Sequence, residues 1–232
     1  MKKGFTDASI AKLKVNKYSL IEILRFAQNE KSVESLFLYE RNRKMSLYDL
    51  IKNRRTVRKF KNKEVLESDL IKMIEGARLS PSAANLQSLR YMMVTSEDVR
   101  RELYPHIKYA GYTPEWNPTF EETPTAFLVV LNDNQIRPTE KSECDSGLAM
   151  MSISLLAEDL GYGSCIFGAI DRYQIKSVLG IDDKFDIMYV IGVGYPDQKN
   201  SYYDSDEEIK YSLDNDVNFH VPKRKLESVI VK

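Results

Sequence analysis

The run Ala126–Leu131, AFLVVL, is an unbroken apolar stretch set between Thr125 and the polar pair Asn132 and Asp133. A strand that faces water on one side alternates apolar with polar residues. An unbroken apolar run of strand length belongs instead to a strand covered on both faces, so this segment is expected near the centre of a sheet. The longest helical pattern, SGLAMMSISLLAEDLGYGS from Ser146 to Ser164, has the same character. Leu148, Met151, Ile153, Leu155, Leu156 and Leu160 make it apolar on most sides, as a helix buried in a core or in a dimer interface requires.

The rest of the chain is arranged around these two segments. SLYDLIKN reads as a short helix with Ser46 and Asp49 as a capping pair, ending at a cluster of arginines. ESDLIKMIEGARLSPS is a second helix; Leu70, Ile71, Ile74 and Ala77 supply its apolar face and Pro81 closes it. LRYMMVTS reads as a short strand, RYQIKSVLGI as a helix and FDIMYVIGVGYP as a strand ending at Pro196. Residues 197–218 are acidic and polar, with DSDEEIK at 204–210 expected as a solvated loop, and the basic tail HVPKRKLESVIVK follows. Helices and strands mix without strict βαβ alternation, so the expected class is α+β around one sheet. Residues 1–44 stand apart as an N-terminal helical extension, with YSLIEILRFAQ and SVESLFLYERNR at helical spacing, and 45–232 form the main domain.

Composition excludes several classes of function. Lysine plus arginine and aspartate plus glutamate number 34 each, and a chain of zero formal charge argues against a general nucleic-acid binder. Two cysteines, Cys144 and Cys165, cannot build a disulfide framework or a sulfur-cluster site, and two histidines, His106 and His220, argue against a metal enzyme. No apolar run reaches membrane-helix length and the lysine-containing start is not followed by an apolar segment, so a cytoplasmic setting is expected.

Against that neutral background NRRTVRKF, residues 53–60, concentrates Arg54, Arg55, Arg58 and Lys59 around Thr56. A guanidinium presents a planar fork of donors that matches a phosphate, although the cluster alone reads better as a solvated turn, and a phosphate needs a second element elsewhere. A second element, SPSAANLQS at 80–88, joins small residues to two amides, Asn85 and Gln87. Small residues let backbone approach a planar ligand, and amides offer both donors and acceptors to a heterocycle edge. Taken together, the two segments suggest a nucleotide-type site.

RRTVRKF, SPSAANLQ, GYGSCIFGAID at 161–171, VGYP, and PKRK at 222–225 occur in an order and spacing that resembles the FMN-dependent nitroreductase family, over residues 45 to about 226. The resemblance implies a three-layer α/β/α sandwich with a central mixed, mostly antiparallel sheet, in an intertwined homodimer that holds FMN at the subunit interface. By position, Arg54 and Thr56 would hold the phosphate and ribityl chain, with Arg55 beside them, and Arg58 would reach the pyrimidine end of the flavin. Pro81, Ser82, Ala83, Asn85 and Gln87 would come from the neighbouring subunit. Gly168 and Ala169 would pass close to the flavin N5, and Lys223 and Lys225 would return to the phosphate. The chain departs from the family pattern at Ser88 and Leu89, where Pro-Trp often follows Asn-x-Gln. No catalytic acid–base residue and no metal is implied, because the flavin carries the chemistry.

The implied activity is ping-pong hydride transfer from NAD(P)H to an electron-poor acceptor such as a nitroaromatic, a quinone or an enone. Two alternatives stay open at the level of sequence: a flavin-binding sensor or partner-binding protein without turnover, and another flavin reaction on the same fold such as reductive dehalogenation. An RNA-binding module using RRTVRK and PKRK would show steeply salt-dependent binding. The aromatic stretch from Tyr104 to Phe120 reads either as a lid over the flavin face or as subunit packing.

Overall fold

The computed structural model describes residues 45–231; the expected helical extension lies outside the described residues. In chain order the helices are α1 (Leu47–Asn53), α2 (Glu67–Arg78), α3 (Glu97–Leu103), α4 (Glu143–Asp159), α5 (Arg172–Leu179) and α6 (Leu226–Val229). The strands are β1 (Phe60–Lys61), β2 (Leu89–Val94), β3 (Ala126–Asp133), β4 (Gly163–Phe167), β5 (Phe185–Pro196), β6 (Ser201–Asp204), β7 (Ser212–Leu213) and β8 (Phe219–Lys223).

β3 is central, as its unbroken apolar run requires. It pairs with β2 on one side and β5 on the other, and none of Ala126 to Leu131 is more than 4% exposed. Alternate side chains enter different cores. Ala126, Leu128 and Val130 pack with Leu70, Met73, Ala149 and Ile153 of α2 and α4, while Phe127, Val129 and Leu131 pack with Leu103 and Ile175 of α3 and α5. Helices therefore cover both faces of the sheet, and the architecture is an α/β/α sandwich of α+β class.

β5 organises the other edge. Its first part pairs with β3, and its far edge pairs with β4 from Val190 to Gly194 and then with β1 at Tyr195 and Pro196. Every ladder of this five-stranded sheet is antiparallel, and among the described residues a parallel bridge joins Thr56 to Ser164 at its edge. Opposite Val130 and Leu131 the register skips Met188, a β-bulge. The carbonyls of Ile187 and Met188 accept from Arg172 Nε at 2.9 Å and Nη2 at 2.8 Å, which ties the start of α5 to the bulge.

Residues 197–218 are more ordered than their polar composition suggests. β6 runs parallel to β8 and β7 antiparallel to it, forming a second small sheet. All four residues of β6 are exposed, so burial leaves no alternation to read. Polar ties join the strands of this sheet, with Phe219 of β8 buried beneath: His220 Nδ1 lies 2.8 Å from Ser201 Oγ and His220 Nε2 lies 3.0 Å from Asp214 Oδ2.

Candidate functional site

The arginine segment begins where α1 ends. Ser46 Oγ accepts from the Asp49 amide at 3.1 Å, as the capping pair predicts, and the helix closes at Asn53. The chain then extends, and the Val57 amide donates to the Ser164 carbonyl at 3.0 Å. Arg54, Arg55 and Thr56 are half-buried there. The Nε of Arg54 and the Nε of Arg55 are each buried and have no hydrogen-bond partner among the described residues. Arg55 also donates through Nη2 to the Lys52 carbonyl at 2.8 Å and lies 5.0 Å over the Tyr202 ring. Burial, and then the neighbouring Arg54 charge, holds Arg55 below the usual arginine value, with Tyr202 and Glu158 opposing. Burial pushes the Glu158 carboxyl up, and the two arginines oppose it. Two crowded cations with unpartnered buried N–H groups are suited to an anion, which would relieve both the repulsion and the unmet donors.

The second element follows α2. Ser82 Oγ donates to Asp145 Oδ2 at 2.9 Å, the Ala83 amide reaches the same carboxylate at 3.2 Å, and the Gln87 amide donates to Ser82 Oγ at 3.0 Å. Ala84, Asn85 and Gln87 have φ of 52°, 54° and 52°. Ala83, Asn85 and Gln87 are exposed. Pro81, Ser82 and Gln87 line a cavity of about 380 Å³ against Tyr91 and Ala149.

Gly168 and Ala169 follow β4 and are exposed at an open cleft of about 590 Å³, lined also by His106, Lys108, Asp171 and Arg172. The Lys108 amide donates to the Ala169 carbonyl at 3.1 Å and the Asp171 amide to the His106 carbonyl at 2.9 Å, so a short stretch of backbone pairing forms one wall. A Cβ at residue 168 would stand 3.3 Å from Tyr189 Cε1, a tight contact that glycine avoids. Thr56 is bridged to Ser164, and Gly168 lies four residue steps further along, roughly 13 Å at strand spacing.

Arg58 is committed within the chain. Its Nε donates to the Tyr109 carbonyl at 2.8 Å, and its guanidinium stacks 4.8 Å from the rings of both Tyr211 and Phe219. The stretch Tyr104–Phe120 is anchored to the same cluster: Tyr112 packs on Tyr211 and Trp116 on Phe219. Lys223 is exposed at the end of β8, the central strand of the second sheet. Asn200 Nδ2 donates to the Thr56 carbonyl at 2.8 Å, and Tyr202, under Arg55, pairs with Val221. Lys225 lies 3.9 Å from Asp206, an exposed ion pair.

The fold thus gathers Arg54, Arg55 and Thr56 with the strand leading to Gly168 and Ala169, and brings β8 alongside. It sets Pro81 to Gln87 in a separate cavity that shares no lining residue with the Gly168 cleft. Sequence reasoning missed Asp145, Arg137, Glu158 and Asn200. Asp145 stands in the first turn of α4, where an acidic residue is ordinary, so only its burial at 3% exposure reveals its work.

Comparison with known proteins agrees with this fold. The model of the nitroreductase family matches residues 51–195, more than half of the chain, and the chain belongs to that family. The iodotyrosine deiodinase of Thermotoga neapolitana is 26% identical over 183 residues, covering 70% of this chain and 95% of that protein. An NADPH-dependent oxidoreductase of Staphylococcus aureus is 25% identical over 175 residues, covering 65% of this chain and 64% of its own length. The solved NADPH:FMN oxidoreductase of Vibrio harveyi in complex with NAD+ has a TM-score of 0.57 at 22% identity, over 71% of this chain and 73% of that one, a likeness of fold. The general role that follows from the family is that of an NAD(P)H oxidoreductase.

Proposed function

We propose that the protein is an FMN-dependent oxidoreductase that takes hydride from NAD(P)H and passes it to an electron-poor acceptor, a nitroaromatic, quinone or enone, by a ping-pong mechanism. The observation that carries the cofactor assignment is the pair of buried, unpartnered Nε groups on Arg54 and Arg55. A phosphate monoester matches them in charge and in acceptor geometry. Arg54, Arg55 and Thr56 would hold that phosphate, with Lys223 adding charge from the exposed end of β8. Gly168 and Ala169 would border the flavin ring, where the absence of a Cβ at residue 168 leaves the cleft floor open. Bound FMN supplies two-electron chemistry at N5. The chain's part is to orient the ring, exclude water and offer one open cleft to reductant and acceptor in turn.

Pro81, Ser82, Ala83, Asn85 and Gln87 would complete the site across a homodimer interface. Two features support a second copy: their cavity is separate from the Gly168 cleft, and α1 and α4 expose Leu47, Tyr48, Ile51, Leu148 and Met151. Reductive dehalogenation on the same site is the second reading, favoured by the likeness to the deiodinase.

Steady-state oxidation of NADPH and NADH with menadione or a nitroaromatic as acceptor tests the proposal. Parallel double-reciprocal lines are expected; no turnover with any of these acceptors and either reductant would overturn the oxidoreductase reading, and release of halide from a halotyrosine would select the second one.

A further inference from the structure

We infer that Asp145 is a positioning residue for the flavin site, acting through the loop Ser82–Gln87. The inference rests on the reading that this loop contributes to an FMN site.

The loop is in an unexpected state for its composition. Three non-glycine residues within four positions, Ala84, Asn85 and Gln87, hold left-handed backbone. Asparagine tolerates this region, but alanine and glutamine avoid it, because Cβ crowds the following carbonyl. The loop is also exposed, with Leu86 at 45%, so its own packing does not impose the conformation. Something else must hold it.

Asp145 is that constraint. The carboxylate is 3% exposed and accepts from Ser82 Oγ at 2.9 Å, from the Ala83 amide at 3.2 Å and from Arg137 Nη1 at 3.1 Å. Ser82 Oγ in turn accepts from the Gln87 amide at 3.0 Å, so one buried carboxylate reaches both ends of the strained segment. Arg137, itself only 16% exposed, neutralises it, and the first turn of α4 adds favourable dipole. The Arg137 backbone is fixed as well: Asn132 Nδ2 donates to its carbonyl at 2.8 Å, at the end of β3. The central strand, through Arg137 and Asp145, thus sets the shape of an exposed loop. A flexible loop would lose entropy on binding a ligand; this one is already ordered. Ser82, Ala83, Asn85 and Gln87 would then present amides and backbone at fixed positions.

The test is FMN affinity by flavin fluorescence quenching, beside thermal stability, for the full chain and three variants. The unaltered chain binds FMN if the flavin reading holds; if it does not bind, that reading and this inference both fall. Asp145→Asn, which keeps the size but removes the charge facing Arg137, is expected to weaken FMN binding roughly tenfold. Adding Ala84→Gly, which removes the left-handed penalty, is expected to restore most of that loss without restoring the melting temperature lost with the ion pair. Asp145→Asn binding FMN as tightly as the unaltered chain would overturn the inference alone. Should Asp145→Asn fail to fold, Ser82→Ala keeps the buried ion pair and takes its place. Rescue of Ser82→Ala by Ala84→Gly supports positioning, whereas a loss that Ala84→Gly leaves untouched marks a missing contact and overturns it.

Discussion

The amide of Val57 donates to the carbonyl of Ser164 at 3.0 Å, and this contact couples the arginine segment to the strand that ends beside Gly168. An anion bound at Arg54 and Arg55, as proposed, would thereby stand in a fixed relation to the cleft at Gly168. The coupling depends on a glycine. A Cβ at residue 163 would stand 2.6 Å from Val57 Cγ2.

Gly163→Ala is therefore expected to push Val57 away and break the register of the bridge. Overpacking of this kind costs about 1–3 kcal/mol, read by urea unfolding. Flavin affinity should fall with it, because Arg54, Arg55 and Thr56 precede Val57 directly.

Arg54 gives a prediction of opposite signs. Loss of one charge-assisted contact to a phosphate corresponds to about 1.5–3 kcal/mol, so Arg54→Met should weaken FMN binding roughly ten- to a hundredfold. The same variant removes a buried Nε that has no partner among the described residues and a like charge beside Arg55. Without flavin it should unfold at equal or higher temperature than the parent. Reduced stability of the flavin-free variant would mean that Arg54 is satisfied structurally and is not an anion ligand.

Arg58 should matter for order rather than for charge alone. Its guanidinium joins Tyr211, Phe219 and the Tyr109 carbonyl, so Arg58→Ala removes two ring contacts and a hydrogen bond, roughly 1–3 kcal/mol. Limited proteolysis should then cut within residues 110–118 or 205–216 faster than in the parent. An unchanged cleavage pattern would show that the cluster holds without it.

The second sheet should loosen in acid. The Asp214 carboxyl is held at about 2, against its ordinary 3.8, chiefly by the Asn218 backbone amide and further by the Asn218 side chain, His220 and the Asp216 amide, with dehydration opposing. A carboxyl lowered in the folded state stabilises fully above the unfolded value and loses that contribution as pH falls through the folded one. Trp116, packed edge-to-face on Phe219 with ring centroids 5.5 Å apart, reports on this region. Its fluorescence should change as pH falls from about 4 toward 2, and Asp214→Asn should flatten that change while lowering the starting stability.

Much of this architecture was legible in the residues. The unbroken run at 126–131 demanded a strand covered on both faces, and Ser46 with Asp49 marked the start of α1. β4 was hidden because its first residues, Gly163 and Ser164, read as the end of the long helical pattern, which closes at Asp159, yet glycine is required there to let Val57 approach. β6 to β8 were hidden because β6 is exposed throughout, and the residues that hold the sheet, polar ties and the buried aromatic Phe219, form no alternating pattern. Nothing local marks Ala84 as left-handed; that backbone is imposed from Asp145, some sixty residues away, and tertiary constraint leaves no signal in a short window.

The central claim is that Arg54 and Arg55 hold the phosphate of FMN. The visible absorption spectrum of the purified protein, followed by identification of the flavin released on denaturation, tests it most directly. A yellow protein releasing FMN at close to one equivalent per chain is the predicted result. A colourless protein that cannot be loaded with added FMN would contradict it, and the two arginines would then need another anion.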